Sequence, residues 1–263
     1  MTHDIITLYY PPTDKAKELY CSMKENGHDI HFINCGNLST DDEWVKSNVE
    51  FETQMNGNIA HMNQHLCELT TFYYVWNHLS TKWSDGDYVQ HIHYRKMLDI
   101  EDPNGKNWVC APYPMLFNVN GKRVQASIYD GTRLCHPHQS WDIMEEVVMN
   151  SATMKERDWW IEWMTLGVMP APMNLFVLQK PLFDEYCEWV FPKVFEIERR
   201  IPYGDEEYQT AYQRRALAFI GERLFSYWCY VKTRRGVQFN TAQPKIFNDF
   251  KPITDEEERG KKL

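Results

Sequence analysis

The sequence lacks the segments that would place the chain in a membrane or a secretory pathway. No stretch of its 263 residues approaches the roughly 20 apolar residues that a membrane span needs. The start, Met1-Thr2-His3-Asp4, has neither the basic residues nor the apolar run of a secretory signal. We therefore expect a cytoplasmic protein without a transmembrane segment, free or peripheral at the inner face of the membrane.

Paired cysteines are also missing. The seven cysteines are odd in number, scattered along the chain and never arranged as Cys-x-x-Cys. This spacing argues against a disulfide framework and against a cysteine zinc site. We expect reduced, mostly buried thiols.

Positive charge is scarce, since the formal net charge is −9. That balance argues against a polyanionic partner for the chain as a whole. Residues 186–245 are the exception, because they carry ten Lys or Arg against seven Asp or Glu. A diphosphate or another anion is therefore expected in this stretch.

The first 35 residues predict a strand, a helix and a second strand, at residues 5–10, 14–26 and 28–34. A β-branched and aromatic run precedes two prolines, and Gly27 ends the polar helix. This order is typical of a parallel sheet, in which nucleotides bind at the carboxyl ends of strands. Tyr9 lies at such an end.

Residues 56–96 form the unit around which the chain is organised. One helix is predicted by apolar residues at three- and four-residue steps, namely Leu66, Leu69, Tyr73, Trp76 and Leu79. After a polar break, residues 88–94 alternate like a strand and lead to Arg95 and Lys96. A strand with charge at its carboxyl end is the usual layout of a ligand site in an open α/β sheet.

The remaining pattern predicts one domain over residues 1–250 and a charged, disordered tail over residues 251–263. A hairpin is expected about Asn120-Gly121, and Ser140 is expected to cap a helix. The other predicted elements are strands at residues 108–112 and 173–178 and helices at residues 41–48, 140–151, 155–164, 182–200 and 206–233.

Several ordered motifs resemble a family of bacterial capsular-polysaccharide and lipopolysaccharide glycosyltransferases. The family shows an Asn-Ile, a Cys-Glu-Leu-Thr helix that continues into Tyr-Trp, and a His-Tyr-Arg-Arg strand end. The matching stretches here are Asn58-Ile59, Cys67-Glu68-Leu69-Thr70, His93-Tyr94-Arg95-Lys96, residues 173–177, residues 182–189 and Gly221-Glu222-Arg223-Leu224.

The resemblance implies an α/β fold: a single GT-A-like, Rossmann-related domain with a mostly parallel central sheet and a helical carboxyl-terminal part. It implies a hexosyl- or pentosyltransferase of polysaccharide biosynthesis. We expect a nucleotide-sugar donor, a UDP-sugar in particular, and an acceptor hydroxyl on a glycan or a lipid-linked glycan.

The strand end at residues 91–96 lacks the Asp-x-Asp with which many GT-A enzymes hold a divalent metal on the diphosphate. Two interpretations follow. Arg95 and Lys96 replace the metal, since a guanidinium binds phosphate oxygens in a two-pronged way. Alternatively, His91 and His93, two apart on one face of the strand, are metal ligands. The family pattern favours the first, and the need for a divalent metal stays open.

Glu68 is predicted within an apolar helix, where an unpaired carboxylate is costly. It therefore needs a partner, either a sugar hydroxyl, a ribose or Arg95. The predicted donor-binding residues are Tyr9, Asn58, Asn63, Glu68, Thr70, His93, Tyr94, Arg95, Lys96, Asn174 and Arg223. Local capping is the alternative role for the loop asparagines.

An inverting transfer needs a carboxylate that takes the proton of the acceptor hydroxyl. The resemblance of Gly221-Glu222-Arg223 to a family element makes Glu222 the first candidate, and Asp142 and Asp205 are the reserves. A surface or Arg-paired glutamate is the alternative for Glu222.

Two other functions are compatible with the sequence. The basic stretch permits transfer to a modified base of DNA, through Arg214-Arg215 and Lys232-Thr233-Arg234-Arg235 near Tyr227, Trp228 and Tyr230. The ten tryptophans permit a non-catalytic glycan-binding module. The ordered motifs favour the enzyme that acts on a glycan.

Overall fold

The computed structural model describes residues 1–9, 12–35, 42–93, 96–100 and 102–246. Tyr94, Arg95 and the tail at residues 251–263 lie outside the described residues, so the predictions made for them stay predictions. The strands are β1 (Thr2–Leu8), β2 (Asp29–Asn34), β3 (Val49–Phe51), β4 (Tyr88–His93), β5 (Lys96–Leu98), β6 (Asn107–Cys110), β7 (Tyr113–Pro114), β8 (Leu116–Val119), β9 (Lys122–Gln125), β10 (Val168–Met169), β11 (Phe176–Gln179), β12 (Phe239–Ala242) and β13 (Pro244–Ile246). The α-helices are α1 (Asp14–Glu25), α2 (Glu43–Asn48), α3 (Asn63–Leu66), α4 (Glu68–Tyr74), α5 (Ile128–Cys135), α6 (His138–Ser151), α7 (Met154–Met164), α8 (Lys180–Arg200), α9 (Ala211–Arg214) and α10 (Ala216–Arg234).

A central sheet runs through the molecule in the order β12-β6-β11-β4-β1-β2-β3, with β5 and β13 added beside β4. Strand β11 pairs antiparallel with β4 and with β6, whereas the other neighbours along this path pair parallel. The predicted mostly parallel sheet is therefore confirmed. Its opening β1-α1-β2 unit agrees with the pattern of the first 35 residues.

Different helices cover the two faces of the sheet. Alternation along β1 sends Ile5 to one face and Ile6 to the other. Ile5 belongs to the larger core, which contains the buried residues of α6, α7, α8 and α10. Ile6 packs with α1 and α2 through residues such as Tyr20 and Val45. The fold is thus α/β with a helical carboxyl-terminal part, as predicted.

The single helix predicted through residues 66–79 is wrong. Helix α3 ends at Leu66 and α4 begins at Glu68, and Cys67 between them has φ 47° and ψ −126°. A π-helical turn, Val75–Leu79, continues α4. The apolar spacing did not reveal the interruption because Leu66 and Leu69 are both buried on either side of it.

The predicted helix over residues 206–233 is also wrong. The chain forms a 3₁₀ turn at Glu206–Tyr208, then α9, and only then α10. Thr210 caps α9 by accepting a hydrogen bond from the amide of Gln213. Among the described residues, no helix has both the length and the apolar composition to cross a bilayer.

Two predicted boundaries near the site also shift. Helix α6 begins at His138, so Ser140 does not cap it; the Ser140 hydroxyl lies 2.7 Å from that of Tyr208. Strand β11 begins at Phe176, and Asn174 precedes it in a 3₁₀ turn, Pro172–Asn174. The hairpin about Asn120-Gly121 forms as predicted, since both residues have positive φ.

Helix α10 approaches α4 closely at Gly221. A Cβ at this position would lie 2.5 Å from Cδ1 of Leu69, which is fully buried. The absence of a side chain at residue 221 therefore lets the two helices pack together. This contact sets the distance between the beginning of α4 and Glu222.

We predict that Gly221→Val lowers the free energy of unfolding by about 1–3 kcal/mol, because the new methyl groups overpack the contact with Leu69. Denaturant unfolding measures the loss. Gly204→Ala is the control, since no atom of the described part of the chain lies within 4 Å of the added Cβ and no positive φ is required. Equal stabilities of the two variants would contradict the close packing.

Candidate functional site

A cluster of polar side chains lies at the carboxyl ends of parallel strands. Tyr9 follows β1, Cys35 follows β2, and Lys96, which opens β5, comes three residues after the end of β4. The beginning of α4 is joined to this edge, because Tyr9 contacts Glu68 and Cys35 contacts the carbonyl of Cys67. This is the edge at which open α/β sheets bind their ligands.

Glu68 is the centre of the cluster and is only 9% exposed. The hydroxyl of Tyr9 donates to its Oε2 at 2.9 Å, and Nδ2 of Asn174 donates to its Oε1 at 3.1 Å. Both carboxylate oxygens are therefore paired, as a buried carboxylate requires. The sequence predicted the need for a partner but not these two partners.

Asn174 lies in a strained turn. Ala171, Met173 and Asn174 have φ of 45°, 68° and 51°, in the left-handed region that residues other than glycine rarely adopt. Such conformations persist where surrounding contacts impose them, and they concentrate at functional sites. The carbonyl and the side chain of Asn174 are both held, by His91 and Glu68.

One polar atom of Asn174 has no partner among the described residues. Its Oδ1 is buried and accepts no hydrogen bond there. A buried acceptor of this kind normally finds a donor. A sugar or ribose hydroxyl is a donor of suitable chemistry.

His91 uses both ring nitrogens within the protein. Nδ1 lies 2.7 Å from the carbonyl of Asn174, and Nε2 lies 3.2 Å from Oγ1 of Thr7. Burial lowers the pKa of His91, so the ring is neutral, with Nδ1 donating and Nε2 accepting. His91 therefore positions Asn174 and has no lone pair left for a metal ion. His93, which pairs with Lys96 across β4 and β5, is half-buried.

Asn63 and Thr70 build the turn behind Glu68. Nδ2 of Asn63 donates to the carbonyl of Cys67 at 3.2 Å and to Oγ1 of Thr70 at 3.1 Å. The hydroxyl of Thr70 donates to Glu52 at 3.1 Å, inside the protein. These contacts hold the Cys67 conformation from which α4 begins.

Asn58 has a local role in the structure. Its Nδ2 donates to the carbonyl of Met55 at 2.8 Å, and its Oδ1 accepts from the amide of Ala60 at 3.2 Å. Both contacts shape the loop that leads to α3. This is the capping role that the sequence left open as the alternative.

Glu222 stands in the second turn of α10, with its side chain 22% exposed. Arg223 donates to its Oε2 at 3.0 Å. The pKa of Glu222 is raised, mainly because the carboxylate is buried. The positive charges of Arg223, Lys96 and Arg215 lower this pKa, and the negative charge of Glu68 raises it further. Two carboxylates and three cations therefore interact within one site.

The sequence did not identify Arg215 as a site residue. Its Nε donates to Sγ of Cys67 at 3.1 Å. Burial alone would lower its pKa, but Cys67, Tyr9 and Glu68 raise it, so the guanidinium stays charged. The sequence presents Arg215 only as part of a basic pair, because its pattern predicts a single helix over residues 206–233.

Asp142 and Asp205 lie in another part of the molecule. Asp142 is 58% exposed and pairs with Arg133 at 2.6 Å, and Asp205 is exposed before the 3₁₀ turn at residue 206. Both charges act on Tyr208. Neither is among the groups that shift the pKa of Glu222.

We predict that Cys67→Gly is more stable than Cys67→Ala by about 1 kcal/mol or more. Both changes remove Sγ, but only glycine adopts φ 47° and ψ −126° without strain. Chemical denaturation of both variants gives the difference. At Ala218, inside α10, glycine should instead cost about 1 kcal/mol. A more stable alanine variant at residue 67 would contradict the strained conformation.

The fold is similar to one solved glycosyltransferase structure. The match is to the apo structure of the WbbM bifunctional glycosyltransferase, with a TM-score of 0.75 and 17% sequence identity. It covers 97% of this chain and 48% of that one, so the chain spans about half the length of WbbM.

A comparison with curated proteins gave no match. A family model does match, over residues 30–233, and this range contains the Glu68 and Glu222 elements of the site. The chain therefore belongs to the family described as Domain of unknown function (DUF4422).

Proposed function

We propose that the chain is a glycosyltransferase that moves a sugar from a nucleotide-sugar donor to an acceptor hydroxyl. The observation that carries this proposal is the combination of Glu68 and Glu222 with Lys96, Arg215 and Arg223 at the carboxyl ends of the parallel strands. The fold similarity to WbbM supports it.

The cations provide charge for a departing nucleoside diphosphate. Nζ of Lys96 lies 3.2 Å from Sδ of Met173, the neighbour of Asn174, and Nε of Arg215 donates to Cys67, the neighbour of Glu68. Both cations therefore stand beside the residues assigned to the donor. A fixed guanidinium or ammonium that faces developing negative charge stabilises the transition state. In this proposal Lys96 and Arg215 bind the diphosphate together with Arg95, whose role remains a prediction from the sequence.

Glu68 can bind a sugar hydroxyl without losing the hydrogen bonds that it accepts from Tyr9 and Asn174. A carboxylate oxygen has more than one lone pair, so Glu68 can accept from a sugar or ribose hydroxyl while it keeps Tyr9 and Asn174. Oδ1 of Asn174, which accepts no hydrogen bond from the described residues, offers a second acceptor beside it. We assign Glu68 and Asn174 to donor binding, with Tyr9 as the residue that orients Glu68.

Glu222 is the proposed base. A general base works best when its pKa lies near the working pH, and burial shifts the pKa of Glu222 in that direction. Arg223 holds one carboxylate oxygen, which leaves the other to take the proton of the acceptor hydroxyl. This assignment implies an inverting reaction.

In this proposal the cationic side chains, and not a divalent metal, neutralise the charge of the diphosphate. The strand end carries no Asp-x-Asp, and the ring nitrogens of His91 are both engaged. A UDP-sugar as donor and a glycan or lipid-linked glycan as acceptor, in the cytoplasm or at the inner face of the membrane, remain part of the proposal.

The cations at residues 232–235 of the basic stretch give little support to transfer to nucleic acid. Arg234 pairs with Glu162, Arg235 pairs with Glu156, and Lys232 contacts Glu185. These cations are already paired with acidic side chains, which reduces the positive charge that they offer to a nucleic-acid backbone. We therefore propose the glycan acceptor alone.

We predict that Glu222→Gln slows sugar transfer about 10²–10⁴-fold, because the amide cannot take the acceptor proton. Donor turnover, with water as the acceptor if no glycan is known, measures the effect. The base must be ionised, so kcat/KM of the wild type should fall as the pH drops through the pKa of Glu222. Because that pKa is raised above 4.5, the fall should begin at a higher pH than for an exposed glutamate.

Glu188→Gln, at an exposed position of α8, is the control for this experiment and should leave both turnover and its pH dependence unchanged. A Glu222→Gln variant that retains turnover with the same acid limb would remove Glu222 from the role of base. Failure of the wild type to turn over any nucleotide sugar would contradict the proposed function itself.

A further inference from the structure

We propose that His3, Asp29 and His31 form a binding site for a transition-metal ion of the Zn²⁺ class. The three residues lie at the amino-terminal half of β1 and β2, where His3 is the register partner of Asp29. Alternation places His3, Asp29 and His31 on one face of the sheet. This inference does not depend on the proposed sugar transfer.

The ligand atoms are close enough to share one ion. One donor atom from each residue lies within 4.8 Å of the other two. Nε2 of His31 is 3.3 Å from Oδ2 of Asp29, and Nδ1 of His3 is 2.6 Å from the same oxygen. Ligands at Zn²⁺ distances of about 2.0–2.2 Å in a tetrahedron lie about 3.3–3.5 Å apart. Binding would therefore move the exposed Asp29 carboxylate away from His3 and bring the farthest pair of ligand atoms closer than its present separation of at most 4.8 Å.

A second layer of carboxylates surrounds both rings. Nδ1 of His31 lies 3.1 Å from Oε1 of Glu50, and Nε2 of His3 lies 3.4 Å from Oδ2 of Asp87. Each ring thus faces carboxylate oxygens with both nitrogens, whereas a neutral imidazole carries one N–H. An ion on the Asp29 side would leave each N–H to donate outward to Glu50 or Asp87. That is the carboxylate–histidine–metal arrangement of protein zinc sites.

The surroundings favour a fixed but accessible site. Trp83 stacks on His3 with ring centroids 3.9 Å apart and planes 7° apart, which fixes that ring. The hydroxyl of Tyr74 donates to Glu50 at 3.1 Å. The Asp29 side chain is 40% exposed, so an ion can enter from solvent. The remaining coordination position would be taken by water.

The site is separate from the proposed transfer site. His3 and Tyr9 stand at opposite ends of β1, about 20 Å apart for six residues at strand spacing. An ion here cannot bridge a diphosphate at Glu68. Its expected effect is on stability, because it would tie β1 to β2 and, through Glu50, to β3.

The test is calorimetric titration of the untagged chain with ZnCl₂ at neutral pH, with a phosphine reductant in place of thiols. We expect one Zn²⁺ per chain. At about a hundredfold excess over Kd, the melting temperature should rise by roughly 5–10 °C and return on addition of EDTA. Mg²⁺ should have no comparable effect, because it prefers oxygen ligands.

Variants identify the ligands. Asp29→Asn and His31→Gln should each weaken Zn²⁺ binding by at least about tenfold, and Glu50→Gln should weaken it about 10–100-fold. His28→Gln is the matched control, since His28 pairs with Asp4 on the opposite face of β1. It should bind Zn²⁺ like the wild type. The proposal would be overturned if the wild type showed no saturable Zn²⁺ binding. It would also be overturned if the Asp29→Asn and His31→Gln variants bound Zn²⁺ as tightly as the wild type.

Discussion

A buried carboxylate needs partners, and the partners of Glu68 organise the site. Its two oxygens accept from Tyr9, at the end of β1, and from Asn174, in the turn before β11. These residues are far apart in sequence, so the contacts require the sheet order that brings β1, β4 and β11 together. The left-handed turn at Asn174 and the hydrogen bond from His91 to its carbonyl follow from the same requirement.

The backbone conformation of Cys67 also helps to position Glu68, because Cys67 directly precedes it. Residue 68 would lie in the middle of a helix if the helix that starts at residue 63 were continuous, whereas here it is the first residue of α4. The strained conformation of Cys67 makes the break, and Asn63 and Thr70 hold it from behind. Gly221 then lets α10 approach α4, which brings Glu222 within electrostatic reach of Glu68. Strain and close packing are thus concentrated where the charges meet.

Much of this fold is readable from the sequence, because local patterns encode it. The β1-α1-β2 unit, strand β4 and helix α8 follow from apolar runs, polar helices and glycine or proline stops. The break at Cys67 and the division of residues 206–234 are not readable, since apolar spacing continues across the first and helix-forming residues span the second. Edge strands β12 and β13 depend on partners that are distant in sequence, β6 and β5, and give no local signal.

Some residues of the candidate site could also be predicted from the sequence, and others could not. Glu68 and Glu222 were selected by motif resemblance, and the need of Glu68 for a partner follows from its apolar neighbours. Tyr9 could be predicted as a strand end, but Arg215 reaches the site only through the packing of α10 on α4. The measurement that tests the central claim most directly is calorimetric binding of UDP and UDP-sugars in EDTA, by the wild type and by Lys96→Met and Arg215→Met. The account predicts saturable binding by the wild type and weaker binding by both variants; no nucleotide binding by the wild type, or unchanged binding by both variants, would contradict it.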